Sequence, residues 1–200
     1  MGTYSSPSVV EALALAIEAW DACLHGHLSR VQVYAVELAK EMGLKGAELK
    51  ALRVAALLHD IGKLAVPGHI ISKPGKLTFD EFEKMKTHAA MGAEILERMH
   101  FPYPVAPIVL AHHEKWNGHG YPYGLKGETI PRAARILSAV DCLDALSSDR
   151  EYRRALPLDD AMAFIIRESG EAYDPEVVAM LRPRYREFAK RSRKQSAATA

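Results

Sequence analysis

The chain has 200 residues, of which 48% are apolar, so it can bury one substantial core but not comfortably two. Lys and Arg number 26 against 25 Asp and Glu, and a net charge of +1 gives no electrostatic basis for nonspecific nucleic-acid binding or a polybasic membrane anchor. Two cysteines, Cys23 and Cys142, make neither a disulfide framework nor a Cys-x-x-Cys site, and point to a reducing compartment.

In chain order, residues 1–6 are an extension and residues 7–190 one domain. Val9 to Leu24 has helical spacing behind Ser8 as N-cap and Pro7. This stretch is too short to span a bilayer, is interrupted by Glu11 and Glu18, and lacks a basic n-region, so the expected localisation is cytoplasmic. His27 to Met42 repeats the pattern, with Gly43 placed as a left-handed C-cap. Ala47 to Asp60 is apolar on nearly every side around Val54-Ala55-Ala56-Leu57-Leu58, which predicts a buried helix with His59 and Asp60 leaving the core.

Loop punctuation fills Pro67 to Gly75, and Thr78-Phe79-Asp80-Glu81 then has the form of a capping box opening a helix to about Met99, with His88 midway. Val105 to Glu114 is a further helix that delivers His112 and His113. Lys115 to Pro131, rich in Gly and Pro, is a long loop, ordered or disordered. Arg132 to Leu146, Leu158 to Ser169 and Pro175 to Ala189 are helices. Residues 191–200 are basic, then small and polar, and predict a disordered tail. No stretch alternates with period two, so the expected fold is all-α, a bundle of seven to eight helices.

The informative residues are the histidines and carboxylates set within or at the ends of apolar helices: His27, His59, Asp60, His88, His112, His113 and Asp141. Any one of these histidines alone reads best as a hydrogen-bonded core residue. As a set the cost of burying them favours a compensating cation. Imidazole and carboxylate without thiolate favour Mn, Fe, Ni or Zn over Ca. Seven ligands exceed what one tetrahedral zinc uses, but suit two ions sharing Asp60 and a hydroxide, an arrangement that usually hydrolyses phosphate esters.

The ordered series is similar to the HD-GYP domains, a subgroup of the HD-superfamily phosphohydrolases that degrades cyclic di-GMP in bacteria. It comprises Gly26-His27-Leu28-Ser29-Arg30-Val31, Ala56 to Lys63 with His59-Asp60 inside it, Lys73-Pro74-Gly75-Lys76-Leu77-Thr78, His88, His112-His113-Glu114, Gly118-His119-Gly120-Tyr121-Pro122, Ile130-Pro131, and Val140 to Leu146 leading into Asp149-Arg150. The resemblance runs from about Val9 to Val178. It implies one ion on His27, His59, Asp60 and Asp141, a second on Asp60, His88, His112 and His113, and a bridging hydroxide that attacks phosphorus, opening cyclic di-GMP to linear pGpG and onward to GMP.

The resemblance further implies that Lys63 meets the scissile phosphate and that Asp144 supports a ligand, Lys63 or the leaving group. Arg150, Arg153, Gly120, Tyr121 and Pro122 would contact substrate, with Gly118 shaping the loop. The same loop would touch diguanylate cyclase (GGDEF) domains, and homodimerisation is left open. Taken alone, Lys63 and Asp144 each read equally well as solvated charges, and the two arginines more often so.

Three positions depart from the pattern. Cys23 stands where members with a third metal have Glu, which favours two ions, Fe or Mn first. Asn117 replaces the usual Asp, and His119 a small hydroxyl residue. His25, His69 and His100 match no ligand position. Two alternatives follow: hydrolysis of another cyclic dinucleotide or a nucleotide, and a weakly catalytic module that binds cyclic di-GMP or a cyclase. Family members commonly follow a sensory domain, for which no room is expected before Pro7.

Overall fold

The computed structural model describes residues 7–149 and 153–199. Among them the regular structure is helical, with an isolated bridge between Ser169 and Tyr173. Helix α1 (Pro7–Trp20) begins two residues before the expected start and stops short of Leu24. Asp21 breaks it, and a 3-10 turn follows at Ala22–Leu24. Helix α2 (His27–Glu41) enters through Gly26 at φ 66° and leaves before Gly43 at φ 83°, the left-handed exit read from the sequence.

Helix α3 (Gly46–Leu58) is the central element, with every residue from Val54 to Leu58 buried. It packs on α2, and both contact α7 (Arg132–Leu146). The expected helical run through Asp60 ends instead at Leu58. Asp60, at φ −94° and ψ 6°, leads into a 3-10 turn at Ile61–Ala65. A short helix α4 (Gly68–Ile71) lies in the segment read as loop.

Helix α5 (Phe79–Arg98) starts at the capping box that the sequence predicted: Glu81 N donates to Thr78 Oγ1 at 3.3 Å, and Thr78 N to Glu81 Oε2 at 2.7 Å. It packs directly on the Ile61–Ala65 turn. A β-carbon at Gly62 would come within 1.9 Å of the His88 carbonyl oxygen, so only glycine lets the two segments meet. Helix α6 (Ala106–Ala111) stops just before His112.

The stretch from Lys115 to Pro131 is ordered. Trp116 N and Asn117 N donate to Ala172 O and Glu171 O, the Asn117 amide to the Glu171 carboxylate, and the Arg135 guanidinium lies 5.6 Å from the centre of the Trp116 ring. Helix α8 (Leu158–Arg167) follows as predicted, ending two residues early. The expected helix from Pro175 to Ala189 is two, α9 (Pro175–Leu181) and α10 (Tyr185–Thr199), because Pro183 cannot donate the backbone bond that would join them.

Contrary to the expectation of a disordered tail after Arg191, α10 stays helical through Thr199. Its opening turns pack on α2, where Phe188 and Ser192 are buried and Arg191 pairs with Glu37. Among the described residues no helix is long and apolar enough to cross a membrane.

Candidate metal centre

The ends of α3 and α6, the start of α2, and the middles of α5 and α7 converge on one point. They bring His27, His59, Asp60, His88, His112, His113 and Asp141 together. One compact group is His27, His59 and Asp60, and the other is His88, His112 and His113. Asp141 joins the first, its Oδ1 lying 3.1 Å from His27 Nε2 and 3.7 Å from His59 Nε2. Asp60 reaches both, with Oδ2 at 3.5 Å from His59 Nε2 and Oδ1 at 3.6 Å from His88 Nε2.

Local helical geometry fixes which nitrogen faces inward. The Nδ1 atoms of His59, His88 and His112 lie 3.0, 2.7 and 2.5 Å from the carbonyl oxygens of Ala56, Met85 and Val109, each three residues back. A carbonyl only accepts, so each Nδ1 carries the hydrogen and each Nε2 keeps a bare lone pair. In His27 the same service comes from Asp144, whose Oδ2 is 2.8 Å from Nδ1.

The lone pairs then face other acceptors. His59 Nε2 is buried without a hydrogen bond, between carboxylate oxygens at 3.5 and 3.7 Å, and His88 Nε2 faces His112 Nε2 at 3.4 Å. Acceptors facing acceptors in a buried site repel, and cations between them remove the conflict. These residues therefore fit metal ions.

The electrostatics agree. Burial, reinforced by neighbouring imidazoles, holds His88 and His112 below the ordinary histidine value and pushes His113 down to about 3, so these rings are neutral and able to ligate. Burial opposes the ionised Asp60, but Lys63 and the imidazoles prevail and hold it well below the usual carboxylate range. Asp141 is lowered in the same way by His27 and His59. Burial also disfavours a charged His27, yet its bonds to Asp141 and Asp144 raise it to about 9.

A cavity of about 470 Å³ opens over this cluster. Lys63 lines it, in the 3-10 turn rather than on an α-helix, with Nζ 3.0 Å from Asp60 and 2.9 Å from Asp21. Around it stand Leu77, Phe82 and Met85, Ser138, Cys142 and Ala145 of α7, Tyr173, and Tyr121 of the loop. The Tyr121 ring lies 4.8 Å from that of His113, and burial raises its hydroxyl pKa, keeping it a neutral donor.

The other expected contacts fare differently. Gly120 and Pro122 do not line the cavity. Gly120 lies so close to Glu114 and Lys115 that a β-carbon would come within 2.3 Å of the Lys115 nitrogen. Arg153 does not line it either: its guanidinium donates to Ala145 O at 2.6 Å and Leu146 O at 3.1 Å, capping α7. Asp144 is buried behind His27, its Oδ2 2.8 Å from His27 Nδ1. Arg150 lies outside the described residues. Asn117 and His119 stay in the loop, where Asn117 Oδ1 accepts from His119 N.

Three supporting residues escaped the sequence reading. Asp21 was read as the interior of a helix, although a carboxylate in an apolar run was its signal. Arg30 grips Asp144 with Nε at 2.7 Å and Nη2 at 2.9 Å. The buried carboxylate of Glu114 accepts from Tyr123 N at 2.8 Å and Leu125 N at 3.1 Å, tying down the loop.

A family model described as HD domain matches residues 12–177. The chain belongs to the HD domain family. It is 43% identical over 175 residues to the cyclic di-GMP phosphodiesterase response regulator RpfG of Xanthomonas campestris pv. campestris, covering 86% of this chain and 46% of that one. To the 3′3′-cGAMP-specific phosphodiesterase 3 of Vibrio cholerae it is 40% identical over 174 residues, covering 87% and 38%. The chain thus spans less than half the length of these relatives. An HD-GYP-type protein of Bdellovibrio bacteriovorus shares the fold, with a TM-score of 0.67 at 21% identity over 90% of this chain and 63% of that structure.

Proposed function

We propose that this HD domain hydrolyses cyclic di-GMP to linear pGpG and then to GMP at a site holding two divalent transition ions, Fe or Mn first, with Ni or Zn as substitutes. The observation that carries the reading is the convergence of five histidines and two aspartates in which buried lone pairs confront each other at the floor of a ligand-sized cavity. When bound, the ions supply Lewis acidity and lower the pKa of water.

The protein's own residues do the rest. His27, His59, Asp60 and Asp141 would hold one ion, Asp60, His88, His112 and His113 the other. In hydrolysis a water oxygen forms the new bond to phosphorus, the bond to the ribose 3′ oxygen breaks, and that oxygen leaves with a proton. The Lys63 ammonium has three donors, two of them taken by Asp21 and Asp60, and the third suits a nonbridging phosphate oxygen. Tyr121, kept neutral, can donate a hydrogen bond or stack on a base. We assign the exposed rim of the loop, Pro122 and Tyr123, to contact with a diguanylate cyclase domain.

The test is turnover of cyclic di-GMP by the purified chain alongside elemental analysis. Chelation should abolish hydrolysis and Mn or Fe restore it, with close to two ions per chain; activity that survives complete demetallation sinks the reading. A relative named for 3′3′-cGAMP at 40% identity, against 43% for one named for cyclic di-GMP, supports a second substrate within the same chemistry. Competition among cyclic dinucleotides separates the two. Tight binding with no turnover at full metal loading would favour the signalling-module alternative.

A further inference from the structure

The two halves of the cluster are built by different means. On one side, His27 and His59 sit with Asp60 and Asp141, two carboxylates against two imidazoles. His27 is oriented by a full carboxylate, Asp144, and Asp144 is clamped by the two-pronged Arg30 guanidinium and by Ser148 Oγ at 3.3 Å. The His27–Asp144–Arg30 brace is carried by two packed helices, α2 and α7, whereas His59, at the end of α3, is oriented by the Ala56 carbonyl. A carboxylate behind a ligating imidazole raises its basicity, and loss of such a partner typically costs about 10- to 100-fold in metal affinity.

On the other side stand three imidazoles, His88, His112 and His113, with Asp60 3.6 Å from His88 and Asp141 also close enough to act on His113. His88 and His112 are fixed through backbone carbonyls, weaker partners than a carboxylate. For His113 no side-chain hydrogen bond is found among the described residues. Its ring lies against His112 at 3.9 Å, Tyr121 at 4.8 Å and His88 at 5.0 Å between centroids, and its carbonyl accepts from Tyr121 N at 3.2 Å. Tyr121 in turn belongs to the loop that Glu114 ties down. One ligand of this half, bonded to no backbone carbonyl of its own turn, therefore leans on the loop as well as on its imidazole neighbours.

We propose that the two positions are unequal: the His27 position, braced by Asp144 and Arg30, retains its ion, whereas the His88–His112–His113 position exchanges its ion under control of the loop, with Tyr121 as the positioning residue for His113. The loop then does more than wall the cavity. A ligand or partner that shifts Tyr121 alters occupancy of the second position, and with it activity, without touching the first. This inference rests on the metal-dependent reading above.

Binding isotherms of Mn(II) to the metal-stripped full chain, with metal-to-protein ratios after dialysis against graded chelator, test it without reference to turnover. Wild type should fill in two steps separated by roughly 10-fold or more, given the unequal partners. Tyr121→Ala should weaken only the weaker step, by about 10- to 100-fold, and Tyr121→Phe, which keeps the ring, should restore it. Asp144→Asn should weaken only the tighter step by a similar factor, and Arg30→Met should lower that same step. Two equal steps in wild type, or Tyr121→Ala and Asp144→Asn acting on the same step, or either leaving both steps unchanged, overturns the inference while leaving a two-metal hydrolase intact. A wild-type chain that takes up no Mn(II) overturns the metal-dependent reading and this inference with it.

Discussion

The helix-borne and loop-borne walls of the cavity solve one problem in different ways. On the helices, an imidazole three residues after a carbonyl is oriented by its own turn, so α3, α5 and α6 each aim a ligand with no help from elsewhere. The Gly118–Tyr123 loop has no repeating backbone ladder, and borrows one buried carboxylate, Glu114, together with a close backbone approach at Gly120. Precision on the first wall follows from secondary structure. On the second it depends on a few individual contacts, so damage there should be local.

The widest damage should come from Asp60→Ala, which removes the one carboxylate that reaches both groups. Both metal-binding steps should weaken by more than the 10- to 100-fold typical of losing a supporting partner, and elemental analysis together with turnover will show it. If one step survives unchanged, Asp60 is not shared. Gly62→Ala attacks the helical wall alone: its β-carbon collides with the His88 backbone, and we expect a loss of about 3 kcal/mol or more in urea unfolding.

Proton linkage separates the imidazoles further. In the metal-free chain His113 stays neutral down to about 3 when folded but takes a proton near 6.5 when unfolded, so its contribution is lost as pH falls below 6.5. His88 and His112 shift in the same direction. His27 runs the other way, with stabilisation fully present below 6.5 and lost as pH rises through about 9. Urea midpoints against pH in chelator should show this acid sensitivity, and saturating Mn(II), which binds the same imidazoles deprotonated, should raise the midpoints above pH 6.5 and steepen their fall on acidification.

Glu114→Gln tests the loop wall. One of two charge-assisted bonds is replaced by a clash of donors, costing about 2 kcal/mol, and hydrogen exchange should accelerate at the Tyr123 and Leu125 amides but not along α5. Exchange that speeds equally on both walls would erase the distinction between them. Arg153→Ala should be mildest, about 1 kcal/mol from lost capping of α7, with KM for cyclic di-GMP unchanged; a large rise in KM would show that the arginine swings into the cavity.

Much of this was legible beforehand for an identifiable reason. The capping box at Thr78, the left-handed exit at Gly43 and the apolar girth of α3 are local signals read by local rules, and they hold. The cluster of buried histidines and aspartates was legible because such residues are costly in apolar helices, whatever the fold. Where the reading slipped, a neighbour was responsible. Pro183 split a helix that periodicity alone would continue, and α10 persists past Arg191 because its opening turns dock on α2.

The sequence by itself determined which residues could ligate a metal and which helices would carry them, because imidazole chemistry and helical periodicity are properties of short stretches. Tertiary structure alone decided who supports whom. That Asp144 and Arg30 stand behind His27, that Asp21 shares Lys63, that Arg153 caps a helix instead of lining the cavity, and that His113 leans on Tyr121 are facts of packing between distant segments. No local rule encodes them, because each depends on where two helices or a helix and a loop come to rest against each other.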